Sequence, residues 1–311
     1  MEELQRSNTN IISSPEITSD LYLQFISYID AKQKTIETYT RALKQLFNFL
    51  SLRGISRPKR EDIILFRDEL KASGHKPTTV QNYITATRLF FQWTEREGYY
   101  PNVADHIKGA TISKGHKKDY LTSKQMRSIL SSIETESEQG LRDYAIIVLM
   151  VTGGLRTIEV SRANIEDISS IGDCTVLYVQ GKGQDEKSDY IKILPEVEAS
   201  LRAYLKTRDI TDGKEPLFCS LSNNSKGQRL TTRTISAIVK KKLVAAGYNS
   251  ERLTAHSLRH TAVTLSLIGG NSLQEAQEFA RHSNIATTQI YAHNLERIKN
   301  KCEETIAKAI F

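Results

Sequence analysis

The sequence predicts a mainly α-helical chain with one small antiparallel β-sheet, divided into two domains that form a clamp. Three observations lead there. Apolar residues recur at helical spacing through residues 19–98 and again in most of the chain after residue 195. Residues 174–194 show β-branched and apolar runs on either side of a turn-rich segment, the pattern of a hairpin. A stretch rich in Lys, Gly and Ser separates the two helical regions and reads as an exposed linker. The boundaries that follow are an N-terminal tail at 1–17, a first helical domain at 18–108, a linker at 109–119 and a second domain at 120–311.

In the first domain, Leu21, Phe25 and Ile29 mark one helix, and Tyr39, Leu43, Phe47 and Leu50 mark a second that closes at Gly54. Residues 61–71 supply a third. Pro77 opens a fourth, whose apolar positions are Val80, Tyr83, Ile84, Leu89, Phe90 and Trp93. In the second domain Leu121 and Thr122 lead into a helix, and an apolar helix spans residues 141–151. Strands are expected at 174–180 and 190–194, joined by the GKGQDEKSD turn. Helices follow at 196–207, 231–246, 256–268, 272–281 and 295–310. Ser272 with Glu275 has the spacing of a capping box.

Composition narrows the function. With 311 residues the chain is long enough for two cores, and 39% hydrophobic with 25% charged residues is the balance of a globular protein. Lys and Arg number 43 against 36 Asp and Glu, a formal charge of +7, which favours a polyanionic partner because basic side chains displace condensed counterions from phosphates. Cys174, Cys219 and Cys302 are widely spaced with no CxxC pair, so neither a disulfide framework nor a cysteine zinc site is indicated. No apolar run approaches the roughly 20 residues of a membrane helix, and residues 1–20 lack a secretory signal pattern. The expected location is cytoplasmic.

Functional residue types concentrate in four segments: GGLRTIEV at 153–160, VQGKGQ at 179–184, TAHSLRH at 254–260 and ARHSNIATTQIYAH at 280–293. Taken together and in this order they resemble the tyrosine recombinase family of phage integrases and Xer recombinases. That family pattern falls on Arg156 with Glu159, Lys182, His256 with Arg259, and His282 with Tyr291. The resemblance extends to the first domain, which looks like the family's SAM-like core-binding domain. It departs at three places: Gly153 stands where Thr is usual before the glycine of the TGLR turn, Ala255 where Pro is frequent, and Arg281 where Gly usually precedes the last histidine.

Chemistry supports the same set. A phosphodiester repels nucleophiles through its own charge, and a guanidinium offers a permanently charged planar fork for two phosphate oxygens, which suits Arg156 and Arg259. One oxyanion donor is worth about 3 to 4 kcal/mol in catalysis. His256 and Arg259 lie three apart, on one face of a helix close to its positive N-terminus. Tyr291 is the expected nucleophile, and its phenol, of pKa about 10, needs a base. The resemblance gives that role to His256, a phosphate-donor role to His282, and protonation of the leaving 5′ oxygen to Lys182. Glu159 is expected to orient rather than react. His260 is expected to point elsewhere on its helix as a structural residue, as is His293.

The resemblance further implies double-stranded DNA as partner, a 3′-phosphotyrosyl intermediate, a Holliday junction, no metal or nucleotide cofactor, and a homotetramer assembled on DNA. Residues 295–310 are expected to form one amphipathic helix, with Ile298, Cys302, Ile306 and Ile310 as its stripe, docked into a neighbouring protomer. A type IB topoisomerase-like enzyme that only relaxes DNA, and a catalytically silent DNA-binding protein, are the alternatives. With a tail of only 1–17, the separate arm-binding domain of larger phage integrases is not expected here.

Overall fold

A computed structural model describes residues 16–112, 119–181 and 183–311, apart from the side chains of 294 and 296–299. The chain divides into two compact units, Met1–Lys114 and Gly115–Phe311. Residues 1–15, most of the expected linker and Lys182 lie outside the described residues.

The first unit is a four-helix bundle of α1 (Ser19–Tyr28), α2 (Gln33–Leu52), α3 (Arg60–Ala72) and α4 (Pro77–Arg96). The helices begin where local chemistry satisfies their first N–H groups. Thr18 Oγ1 accepts from Leu21 N–H, Asp62 accepts from Lys59 N–H at 2.7 Å, and Pro77 takes the first position of α4, where no N–H is needed. Gly54 ends α2 in the left-handed region at φ 65°. The core gathers Leu43, Leu46, Ile63, Phe66, Ile84, Phe90 and Phe91. Phe90 meets Phe25 edge-on with centroids 5.5 Å apart. Leu89, placed by its spacing on the apolar stripe, is exposed instead, because the buried face of α4 runs through Ala86, Phe90 and Trp93.

In the second unit, α5 (Ser123–Ser131) leads to α6 (Glu138–Thr152), whose Ala145, Ile146, Ile147, Leu149 and Met150 are all fully buried. A helix apolar on every side must be surrounded. Its neighbours are α8 (Pro195–Leu205), α9 (Thr232–Ala245) and α10 (Ala255–Ile268). Where α6 does carry charge, the charge is paired. Buried Arg142 bonds Asp143 at 2.8 Å and donates to the Cys219 carbonyl at 3.0 Å, and Lys242 of α9 lies 3.5 Å from Asp143.

The sheet has three antiparallel strands in the order β1 (Ile168–Ile171), β2 (Cys174–Val179) and β3 (Asp189–Lys192). Leu177 is opposite Ile168 on one side and Ile191 on the other. The hairpin of β2 and β3 matches the sequence pattern. Strand β1 escaped it, because Ile168-Ser-Ser-Ile171 is short, polar in its middle and largely exposed. A short helix, α7 (Thr157–Arg162), also went unforeseen, being less than two turns long. The chain closes with α11 (Leu273–Ala280), α12 (Ile285–Lys299) and α13 (Cys302–Ile310). The single helix expected at 295–310 is therefore two: Tyr291 lies within α12, and the helix breaks at Asn300, whose Oδ1 accepts from Cys302 N–H at 2.9 Å. Every residue from Asn300 to Phe311 is exposed.

The turn between α6 and α7 aims Arg156. Gly154 sits at φ 58°, and a Cβ there would meet the Phe279 ring at 3.0 Å. At Gly153 a Cβ would come within 2.4 Å of Ile191 Cδ1, so the Thr usual at this position does not fit the present packing. Gly154→Ala adds left-handed strain to a contact with little room, and it should lower stability by about 1 to 2 kcal/mol. Urea unfolding followed by circular dichroism would measure this; an alanine variant as stable as the parent would show that the turn has another accessible conformation.

Candidate active site

Arg156 caps the N-terminus of α7, and its orientation is fixed by its third neighbour along the chain. Glu159 Oε1 accepts from Arg156 Nη1 at 2.9 Å, and Oε2 accepts from the Arg156 backbone N–H at 2.8 Å. The carboxylate is fully buried. Burial alone would raise its pKa, but the charges of Arg281, Arg259 and Arg156 together with the Arg156 N–H hold it below the ordinary carboxylate value. Glu159 is thus an ionised anchor.

Helix α10 supplies the second cation. Ser257 Oγ accepts from Thr254 N–H at 3.0 Å and steadies the helix start although Ala255 lacks the pre-set φ of a proline. His256 is exposed, whereas Arg259, three residues on, is buried. Arg259 Nη1 donates to the Gly154 carbonyl at 2.5 Å, and its Nη2 donates to the Ala280 carbonyl. One guanidinium thereby ties the turn before α7 to the end of α11. Burial, then the neighbouring Arg156, pull its pKa down to about 9, which leaves it charged at neutral pH.

Tyr291 packs on α12 against Val263 of α10 and Ala280 of α11. His282, in the loop before α12, stacks on it with centroids 6.3 Å apart. The hydroxyl of buried Thr288 bonds His282 Nδ1 at 2.9 Å, which leaves Nε2 as the nitrogen for a ligand. His260 contacts the same phenol at 5.0 Å, and His256 meets His260 edge-on at 4.5 Å. Arg156, His256, Arg259, His260, His282 and Tyr291, with Ser283 and Thr287, line one open pocket of about 360 Å³.

Five of the six residues singled out by motif therefore share a pocket, and the sixth, Lys182, lies outside the described residues. Its neighbours are placed: Gly181 O accepts from Arg162 Nη1 at 3.1 Å, and Lys187 pairs with buried Asp167 at 2.6 Å. These bonds hold both sides of the hairpin turn to the α7 region. His260 was misread, because it stands four residues after His256 and so shares its helical face; that spacing was the available signal. Arg281 was noted only as a departure, yet its side chain reaches Glu159 at 3.1 Å. His293 is exposed.

A model of the phage integrase family matches residues 119–297, and one of the phage integrase N-terminal SAM-like domain matches residues 20–98. The chain belongs to the phage integrase family. It is a tyrosine recombinase, a class of enzymes that cleave and rejoin DNA in site-specific recombination. Tyrosine recombinase XerA of Pyrococcus horikoshii is 31% identical over 299 residues, covering 93% of this chain and 96% of the relative. The fold is shared with XerH bound to palindromic difH substrate in a post-cleavage complex, at TM-score 0.68 and 24% identity over 86% of this chain and 80% of that one. It is shared too with a lambda integrase tetramer bound to a Holliday junction, at TM-score 0.70 and 18% identity over 90% of this chain and 78% of that one.

In this recombinase the resting groups are poised by burial. The Tyr291 phenol is pushed up to about 12 by burial, with Arg259 and Arg156 pulling the other way, so it holds its proton at neutral pH. The His282 imidazole is pushed down to about 4, first by burial and then by Arg259, Arg156, Arg281 and His256. A depressed imidazole stabilises the fold above its unfolded pKa of 6.5 and ceases to as pH falls toward 4, because the unfolded chain takes up a proton that the folded chain refuses. The ring is partly exposed, so solvent screening limits the loss to about 1 kcal/mol. Unfolding measured at steps between these pH values should show stability declining with acid, and His282→Gln should flatten that slope. An unchanged slope in the glutamine variant would assign it to another group.

Proposed function

We propose that this recombinase cuts DNA by attack of the Tyr291 phenol on a backbone phosphate. The convergence of Arg156, Arg259, His256, His282 and Tyr291 on one pocket carries the reading. The Tyr291 oxygen bonds to phosphorus, the bond to the 5′ oxygen breaks with its electron pair, and a 3′-phosphotyrosine with a free 5′ hydroxyl results. Reversal of the same step on a new 5′ hydroxyl rejoins the strand, so no external energy is consumed.

Each residue has a share in that step. Arg156 and Arg259 hold the non-bridging oxygens and offset the charge that builds on them in the transition state. His282 adds a neutral donor through Nε2, with Thr288 fixing the ring. A phenol with its pKa raised by burial needs a nearby acceptor, and the ring contacts from His256 to His260 and from His260 to Tyr291 support an α10 imidazole in that role: His256 is the base, with His260 beside it and the phenol. Lys182, from the β2–β3 hairpin, protonates the departing 5′ oxygen.

The partner is double-stranded DNA at specific sites, gripped by the helical domain at 18–108 and the catalytic domain at 120–311. Kinship with recombinases across both domains favours strand exchange between two sites, in a homotetramer and through a Holliday junction, over simple relaxation. Action on DNA suits a cytoplasmic protein, and among the described residues no helix is long and apolar enough to cross a membrane. The C-terminal helix α13 exposes Ile306 and Ile310 and buries nothing of its own, which suits a segment that docks into a neighbouring protomer.

Two experiments test this reading, both on duplexes selected by the protein from a random pool. Tyr291→Phe should abolish covalent protein–DNA adducts on a nicked duplex while DNA affinity changes by less than about twofold, since one hydroxyl and little packing are lost. An adduct formed by the phenylalanine variant would place the nucleophile elsewhere. Removing residues 302–311 should leave thermal stability and binding to a single site intact, because α13 buries no residue, while cooperative binding and strand exchange fail. Loss of stability together with single-site binding would show that α13 serves its own subunit.

A further inference from the structure

Arg281 occupies a position that an arginine should avoid. It follows the last turn of α11 at φ 52°, a left-handed cap that costs a residue with a Cβ and costs glycine almost nothing. Among the described residues only His106 shares this departure. His282 N–H donates to the Gln277 carbonyl at 3.1 Å, so the helix end has the bond that usually accompanies a left-handed glycine. Strain of this kind persists only where surrounding contacts hold it.

Those contacts are made by the side chain. Arg281 turns back into the protein, with its side chain only 9% exposed. Nη1 donates to the Phe279 carbonyl at 2.9 Å; Nη2 donates to Glu159 Oε2 at 3.1 Å and to the Gly153 and Gly154 carbonyls at 3.3 Å each. Its own carbonyl lies 3.5 Å from Arg156 Nη2. Two guanidinium groups therefore divide one buried carboxylate: Arg156 Nη1 takes Oε1, and Arg281 takes Oε2 beside the Arg156 N–H.

That division matters for the pocket. A carboxylate and a guanidinium left to themselves pair through two parallel bonds, and Arg156 held in that way would spend both its terminal nitrogens on Glu159. With Oε2 occupied by Arg281 and the Arg156 backbone N–H, the Arg156 guanidinium keeps one bond to Glu159 and remains partly exposed on the pocket wall. We infer that Arg281 is a positioning residue, which holds Glu159 so that the Arg156 guanidinium stays available to a DNA phosphate. The inference rests on the reading of the pocket as a phosphate site. Arg281 also adds a third guanidinium charge around a single carboxylate, raising the local attraction for an anion.

Inorganic phosphate is the probe. Thermal unfolding of the full chain would be followed against phosphate concentration at constant ionic strength, and the response of an Arg259→Ala variant subtracted as surface binding. Arg281→Gly keeps the left-handed backbone without strain, and it should weaken the remaining phosphate affinity by roughly tenfold, as expected for one charge removed beside a half-buried site. Glu159→Gln in the same background removes the competing carboxylate and should restore more affinity than the same change adds to the parent, whereas equal gains in both backgrounds would reflect one negative charge removed and overturn the positioning role. If the glycine variant does not fold, Arg281→Gln, which keeps a donor for the carbonyls, is compared with and without Glu159→Gln in the same way. Unchanged phosphate affinity in the Arg281 variant overturns the inference, as does a loss that Glu159→Gln fails to rescue. A parent protein without any specific phosphate response overturns the pocket reading as well, which separates the two failures.

Discussion

One buried carboxylate organises the pocket of the second unit. Glu159 has no contact with solvent and accepts from two guanidinium groups and a backbone N–H, while Arg259 acts on it through its charge. Isolated, a carboxylate so placed would take up a proton rather than remain charged. Surrounded by Arg156, Arg259 and Arg281 it remains ionised, and in return it allows three like charges to approach one another. Two of the three, Arg156 and Arg259, also line the pocket, so part of the excess positive charge faces it.

The framework that permits this crowding is made of short, constrained pieces attached to one largely buried helix. The second half of α6 buries Ala145, Ile146, Ile147, Leu149 and Met150 completely and cannot shift without opening the core, so the turn that leaves it starts from a fixed place. Gly153 and Gly154 let that turn pass against Ile191 and Phe279. The guanidinium of Arg259 reaches from α10 to the carbonyls of Gly154 and Ala280, so the turn before α7, helix α10 and the end of α11 are joined by its side chain. Backbone carbonyls as acceptors satisfy its donors without adding a second carboxylate, so Glu159 is the carboxylate set against its charge.

Proton positions follow from the same burial. The phenol of Tyr291 and the imidazole of His282 are both driven toward their neutral forms, one upward to about 12 and the other downward to about 4. Among the described residues that line the pocket, Arg156 and Arg259 are guanidinium cations, with Glu159 and Arg281 paired behind them. Neutral side chains thus stand beside permanent cations, and the field of the pocket is set by the guanidinium groups rather than by its titratable rings.

Local patterns in the sequence determined the larger elements. Helical periodicity located all four helices of the first unit and most of the second, since burial of one face imposes a 3.6-residue repeat on the chain. The order and spacing of Arg156, Lys182, His256, Arg259, His282 and Tyr291 named the family and a set of candidate residues, five of which the fold brings to one pocket. What periodicity could not supply were pieces too short to carry a repeat: α7, strand β1, and the break at Asn300 that divides the expected C-terminal helix. The tertiary structure alone decided the relations between residues distant in sequence. His260 turned out to touch Tyr291, although its spacing from His256 already put both on one face. Arg281 showed in the sequence only as a residue out of place; its meeting with Glu159, 122 positions away, depends on how α7 and α11 pack, and no local pattern encodes a contact made across a core.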